Sequence, residues 1–109
     1  MRLVDLGPQW VLRDGQRIGF IFKCPTRPDQ WQSCYENTPS RDEQMDLHEA
    51  LVGEKSIVQC CNPSEHWSIA GGIAAASFDT MTVTPSLDGS KGGNWHGHIT
   101  NGEIVGGLA

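Results

Sequence analysis

At 109 residues the chain has the length of one domain, enough to close a single core and not two, so one domain spanning residues 1–109 is expected. Its net charge is −5 and no two Lys or Arg residues are adjacent, which removes the basic footprint of a phosphate-backbone binder and with it direct nucleic-acid binding. No run of 18 apolar residues offers a membrane span, and Met1-Arg2-Leu3-Val4-Asp5 lacks the apolar core of a secretion signal. Synthesis in the cytoplasm, with all four cysteines reduced, is therefore the expectation.

Taken in chain order, the first element is a hairpin. Trp10 to Arg13 and Gln16 to Lys23 are β-favouring runs, and Asp14-Gly15 between them suits a type I′ turn because both residues tolerate positive φ. Alternation along the second run places Ile18, Phe20, Phe22 and Cys24 on the core face, opposite Arg17, Gly19, Ile21 and Lys23. Pro25 to Pro39, with three prolines and polar spacers, reads as a surface loop on which Trp31 and Tyr35 pack back.

Ser40 followed by Glu43 forms a capping box and Gly53 a C-terminal stop, predicting one helix over 41–52. Its apolar stripe is Leu47 and Leu51 with Gln44, Met45 and Ala50 nearby, which leaves His48 and the carboxylates Asp42, Glu43, Asp46 and Glu49 on a solvated face. Lys55 to Cys61 is a short strand ended by Asn62-Pro63, Trp67 to Ile69 another, and Ile73 to Phe78 a buried edge or connector. The Thr-Met-Thr-Val-Thr order of 80–84 alternates with period two, and Pro85, lacking an N–H, is expected to stop its pairing. After a loop over 87–94, Asn101-Gly102 turns a second hairpin in which Thr100 faces Glu103 and His98 faces Val105. The fold class is mainly β with one short helix (α+β), a compact antiparallel sheet or small barrel or sandwich built on two tight hairpins.

Several side-chain groups carry chemistry. His96 and His98 lie two apart on a strand, so both imidazoles share a face and can converge on one metal, with Glu103 on the paired strand. His-x-His followed by Glu resembles part of a cupin metal motif, although the chain holds no later histidine half for such a site. Cys24, Cys34, Cys60 and Cys61 fit no standard zinc-knuckle spacing, since nine residues separate the first two. Buried free cysteine acting as a small hydrophobe is the plainer reading of each. Neither Gly71-Gly72 nor Gly92-Gly93 is a strand-to-helix phosphate loop. Trp10, Trp31, Trp67 and Trp95 are the residues suited to anchoring a protein interface, or equally to filling a core.

Three stretches carry a family resemblance: Trp67 to Gly71; Phe78 to Leu87, with its Pro-Ser pair; and Trp95-His96-Gly97-His98-Ile99-Thr100-Asn101-Gly102-Glu103-Ile104. Together they resemble a family of small bacteriophage and prophage proteins, sometimes labelled "ammonia monooxygenase", over the last third to two-fifths of the chain, with a looser echo at Phe22 to Pro25. The resemblance implies a small β-rich fold that uses zinc, with Cys24 and His96 at the matching positions. Relatives often continue the N-terminal echo into a cysteine-rich knuckle; here Thr26 and Arg27 follow Pro25, and Cys60 or Cys61 would have to substitute. His98 is often aromatic in such relatives.

Three functional expectations follow. The first is a phage-encoded, non-enzymatic structural or binding protein, virion-associated as a capsid decoration or minor structural component, with protein partners and self-association in view. The second is a metal-dependent enzyme using His96, His98 and Glu103. The third is an accessory protein that binds and inhibits a host factor.

Overall fold

The computed structural model describes residues 1–53, 58–90 and 93–108. The first sheet contains β1 (Gln9–Arg13), β2 (Gln16–Lys23), β3 (Trp31–Tyr35) and β4 (Val58–Gln59), in that spatial order. The second contains β5 (Ser68–Ile69), β6 (Val83–Asp88), β7 (His96–Thr100) and β8 (Glu103–Val105), again in sequence order. One α-helix, α1 (Arg41–Val52), joins β3 to β4. The protein is thus mainly β with one helix, and its two four-stranded sheets do not close into a barrel.

Three layers result. Phe20, Phe22, Cys24 and Cys34 of the first sheet meet Ile69, Val83, Leu87, Trp95, Ile99 and Ile104 of the second in one buried cluster. On the other face of the first sheet, Val11, Ile21, Tyr35 and Val58 form a second cluster against Leu47, Leu51 and Val52 of α1. Both faces of β2 are therefore buried, and burying each of its phenylalanines contributes about 1.5–3 kcal/mol.

Both tight turns form as the sequence implies. Asp14 and Gly15 take φ of 52° and 78°, Asn101 and Gly102 take 48° and 75°, and Thr100 pairs with Glu103 and His98 with Val105. α1 begins after Ser40, whose hydroxyl accepts from the Glu43 amide at 3.2 Å, and ends at Gly53 in the left-handed region.

Several details differ from the sequence reading. A bulge breaks the register between Val11 and Leu12, which pair with Gly19 and Arg17, leaving Ile18 unmatched and turned toward the helix-side cluster. It also places the Arg17 guanidinium over Trp10, 4.1 Å from the ring centroid, where it donates to the Ala76 carbonyl at 2.9 Å. The stretch 31–35 is a strand of the first sheet rather than part of a surface loop, and β3 and β4 run parallel, so that sheet is not wholly antiparallel. Pro85 interrupts pairing without ending it: the ladder between β6 and β7 lapses after Val83 and resumes at Leu87.

Another difference lies in α1, where His48 is buried together with Gln44, while Met45 and Ala50 are exposed. The Glu43 carboxylate turns to Arg13 of β1 at 2.6 and 2.8 Å instead of reaching back to the cap. The connector at 73–78 is only half-buried, a 3-10 turn at Ile73–Ala75 followed by Phe78 stacked on Trp10 at 4.2 Å. Of the expected strand at 55–61, Lys55 to Ile57 lie outside the described residues, as do Lys91 and Gly92 of the expected loop. No helix among the described residues is long and apolar enough to cross a membrane.

Candidate functional site

Where the two sheets meet at the β3–β4 edge, a cleft of about 370 Å³ opens. One side is supplied by Gln32 and Ser33 of β3, Gln59 of β4 and Cys60 to Asn62; the other by Leu87, Asp88 and Gly89 at the end of β6. Glu65 and Trp67 also line it, and both recur, with Asp88, in an adjoining cavity of about 300 Å³ bordered by His66, Pro85 and Ser86.

The loop forming the outer wall is held from within. The Asn62 side-chain oxygen accepts from the Ser64 amide and hydroxyl at 3.1 and 3.0 Å, and the Glu65 amide donates to the Asn62 carbonyl at 2.8 Å. The Thr38 hydroxyl donates to the Glu65 carbonyl, and the Thr38 amide to His66 Nδ1 at 3.1 Å. The Trp67 amide donates to Tyr35 at 3.0 Å and its indole N–H to the Ser86 carbonyl at 3.2 Å, tying the two sheets together. From α1, the fully buried Gln44 acts as a substitute strand edge: its oxygen accepts from the Cys61 amide and its nitrogen donates to the Cys61 carbonyl, both at 2.9 Å. Fixing a wall this way removes much of the ordering cost of binding.

Gln32 and Gln59 bring carboxamides to the cleft, and both are tied to the second sheet behind it. Gln32 donates to the Trp95 carbonyl at 3.2 Å, and Asn94 donates to the Gln59 side-chain oxygen at 2.6 Å. Behind the cleft, Gln32 Oε1 and Asn94 Oδ1 are buried with no partner among the described residues. A buried acceptor left unmatched costs about 1–3 kcal/mol.

The thiols lining the cleft are not poised to ionise. Burial pushes Cys61 up to about 11, against the opposing effect of the Ser33 hydroxyl at 3.3 Å, and burial likewise raises Cys60, partly offset by Arg41. A protonated thiol is a weak nucleophile and a poor metal ligand.

The residues singled out from sequence are dispersed. Cys24 is fully buried in the inter-sheet cluster, 3.4 Å from the Thr26 hydroxyl. His96 and His98 do share one face, the exposed outer face of the second sheet, where His96 approaches Ser86 at 3.4 Å and Asp88 at 3.9 Å. Glu103, on the same sheet, faces Arg2 at 3.7 Å. Among the described residues no group of three or more His, Cys, Asp or Glu side chains is placed to hold a metal ion. Cys60 and Cys61 instead line the cleft. Trp95 is 1% exposed and donates to the Gly106 carbonyl at 2.8 Å, so its ring belongs to the core and offers nothing to a partner. Trp10 and Trp31 are half-buried under Arg17 and Lys23, whereas Trp67 reaches the cleft.

Gln32, Ser33, Gln59, Arg41 and Glu65 carried no sequence signal of their own. The nearest was the alternation of Trp31, Ser33 and Tyr35, hidden because Gln32 and Ser33 are polar in a strand that is buried. Together the fold and this site define a small α+β domain with a preformed hydrogen-bonding cleft. No family model, curated protein or solved structure matches the chain.

Proposed function

We propose that the protein is a phage-encoded, non-enzymatic binding protein, carried in the virion as a capsid decoration or minor structural component. The observation that supports binding is the cleft: an internally braced wall lined by the carboxamides of Gln32, Gln59 and Asn62, beside thiols held protonated by burial. Such a surface recognises a partner through hydrogen bonds and shape. The phage assignment rests on the Pro-Ser and Trp-His-Gly-x-Ile-x-x-Gly-Glu resemblance in the C-terminal part. Mass spectrometry of gradient-purified particles tests it: the protein is expected to sediment with particles at constant stoichiometry. Recovery only in the soluble lysate fraction, bound to a host protein, would replace the virion role with that of an accessory inhibitor.

A further inference from the structure

We propose that β1 is a docking edge for a second copy of this chain, the two strands pairing antiparallel about Val11. This goes beyond the binding reading above and does not depend on it, because β1 and the β4 side of the cleft are opposite edges of the first sheet.

The pairing of β2 fixes which way the backbone of β1 faces. The Ile18 carbonyl accepts from the Glu36 amide at 3.3 Å and the Cys24 amide donates to the Gln30 carbonyl at 2.8 Å, so even-numbered residues along this strand turn their polar groups to β3. Gly19 and Ile21 turn theirs to β1. Their partners Val11 and Gln9 therefore face inward, as does Arg13, which closes the two-residue turn against Gln16. Trp10 and Leu12 are left facing outward, and among the described residues nothing bonds to the outward amide or carbonyl of either.

Other edges are covered or short. Beyond β8, Arg2 bridges to Glu103, the Leu3 amide donates to Gly102 and the Ile104 amide to Met1, while β4 and β5 have two residues each. Open edges are commonly guarded by charge, by proline or by a bulge that turns the strand away. Here the charge on β1, Arg13, is held by the Glu43 carboxylate at 2.6 and 2.8 Å, the extra residue of the bulge lies in β2, and Leu12 is 51% exposed.

β1 is also its own complement. Pairing about Val11 sets Trp10 opposite Leu12 of the second copy, so the outward amides and carbonyls of both residues are matched at once and Leu12 gains an indole neighbour. Gln9 falls opposite Arg13, and no like charges meet. A strand pair alone buries less than the roughly 1,200 Å² of a stable interface, so the dimer is weak and reversible. It leaves the cleft of each copy open, which makes the assembly bivalent toward a repeating partner.

Sedimentation velocity of the full chain from about 10 µM to about 1 mM tests this, with NMR of the same samples. The dimer fraction is expected to rise with concentration, and the Trp10 and Leu12 amide signals to shift with it. Gln9→Arg, which sets arginines opposite one another in this register, and Leu12→Lys are each expected to weaken the dimer by about tenfold, since the twofold counts every change twice. Gln9→Glu is expected to retain it, and Val105→Lys on β8 to leave it unchanged. Leu12 is exposed and Gln9 half-buried, and unchanged backbone spectra elsewhere verify that the variants fold. A monomer at every concentration overturns the proposal, as does a dimer indifferent to both Gln9→Arg and Leu12→Lys. A monomer whose Trp10 and Leu12 amides shift only on adding a particle protein assigns the edge to a foreign strand instead. The dimer is read on purified protein, so its failure leaves the virion role standing, and absence from particles leaves the dimer standing.

Discussion

His48 shows how a single residue can be placed correctly in a helix and misplaced in its environment. The carboxylate-rich sequence around it gives the 41–52 helix a solvated face, yet His48 is fully buried, its Nε2 2.6 Å from the Tyr35 hydroxyl. Burial holds its pKa down at about 4 from an ordinary 6.5, and pushes that of Tyr35 up. Because the unfolded chain takes up the proton first, this histidine's contribution is complete above pH 6.5, declines as the pH falls, and is lost by about pH 4. Its size is on the order of 3 kcal/mol. Thermal melts from pH 7 to pH 4.5 are expected to show that decline. The paired substitution Tyr35→Phe with His48→Leu should remove this component of the slope while leaving fewer unmatched polar atoms than either change alone. Gln32 and His48 were illegible for one shared reason: a polar side chain looks solvent-facing in sequence, and only the tertiary partner reveals it as interior.

At the level of elements, turns and caps were legible because their chemistry is local. Asp14-Gly15 and Asn101-Gly102 dictate their own dihedrals, and Ser40 and Gly53 bound α1, irrespective of the rest of the chain. What could not be read was where a strand lies relative to other layers. β3 resembled a loop because its two-sided burial depends on α1 and the second sheet, and β6 continues beyond Pro85 because its ladder can skip three residues and resume. The two hairpin glycines share a backbone conformation and differ in surroundings. A methyl on Gly15 meets nothing within 4 Å, whereas one on Gly102 would run into the Asp79 carbonyl. Gly15→Ala is therefore expected to cost about 1–2 kcal/mol, from positive φ alone. Gly102→Ala should cost more than about 3 kcal/mol in denaturant titration, because backbone must also move. Comparable losses would mean that the contact between the second turn and Asp79 is not maintained in solution.

Across the whole molecule, β2 is the shared wall of both cores. Phe20 and Phe22 project into the inter-sheet cluster and Ile21 into the helix-side cluster, so neither can lose its packing without displacing the strand that supports the other. The N-terminal segment adds closure on the far side, where the Ile104 amide donates to Met1 and the Leu3 amide to Gly102, each at 2.9 Å, with Leu3 fully buried. Layers coupled this tightly should unfold together, as small single domains generally do. Leu51→Ala in α1 and Ile99→Ala in β7 test this from opposite ends of the stack. Ile99 is fully buried and its truncation should cost about 2–5 kcal/mol, lowering Tm by roughly 10 °C or more; half-buried Leu51 should cost less. In both variants helix circular dichroism and tryptophan fluorescence are expected to report the same midpoint, because Trp31 and Trp95 lie on opposite faces of the shared sheet. If Leu51→Ala brings forward the helical signal alone, α1 is a separable layer. The cleft wall held by Gln44 would then open independently of the sheets, and a partner's affinity would depend on the folding of that helix.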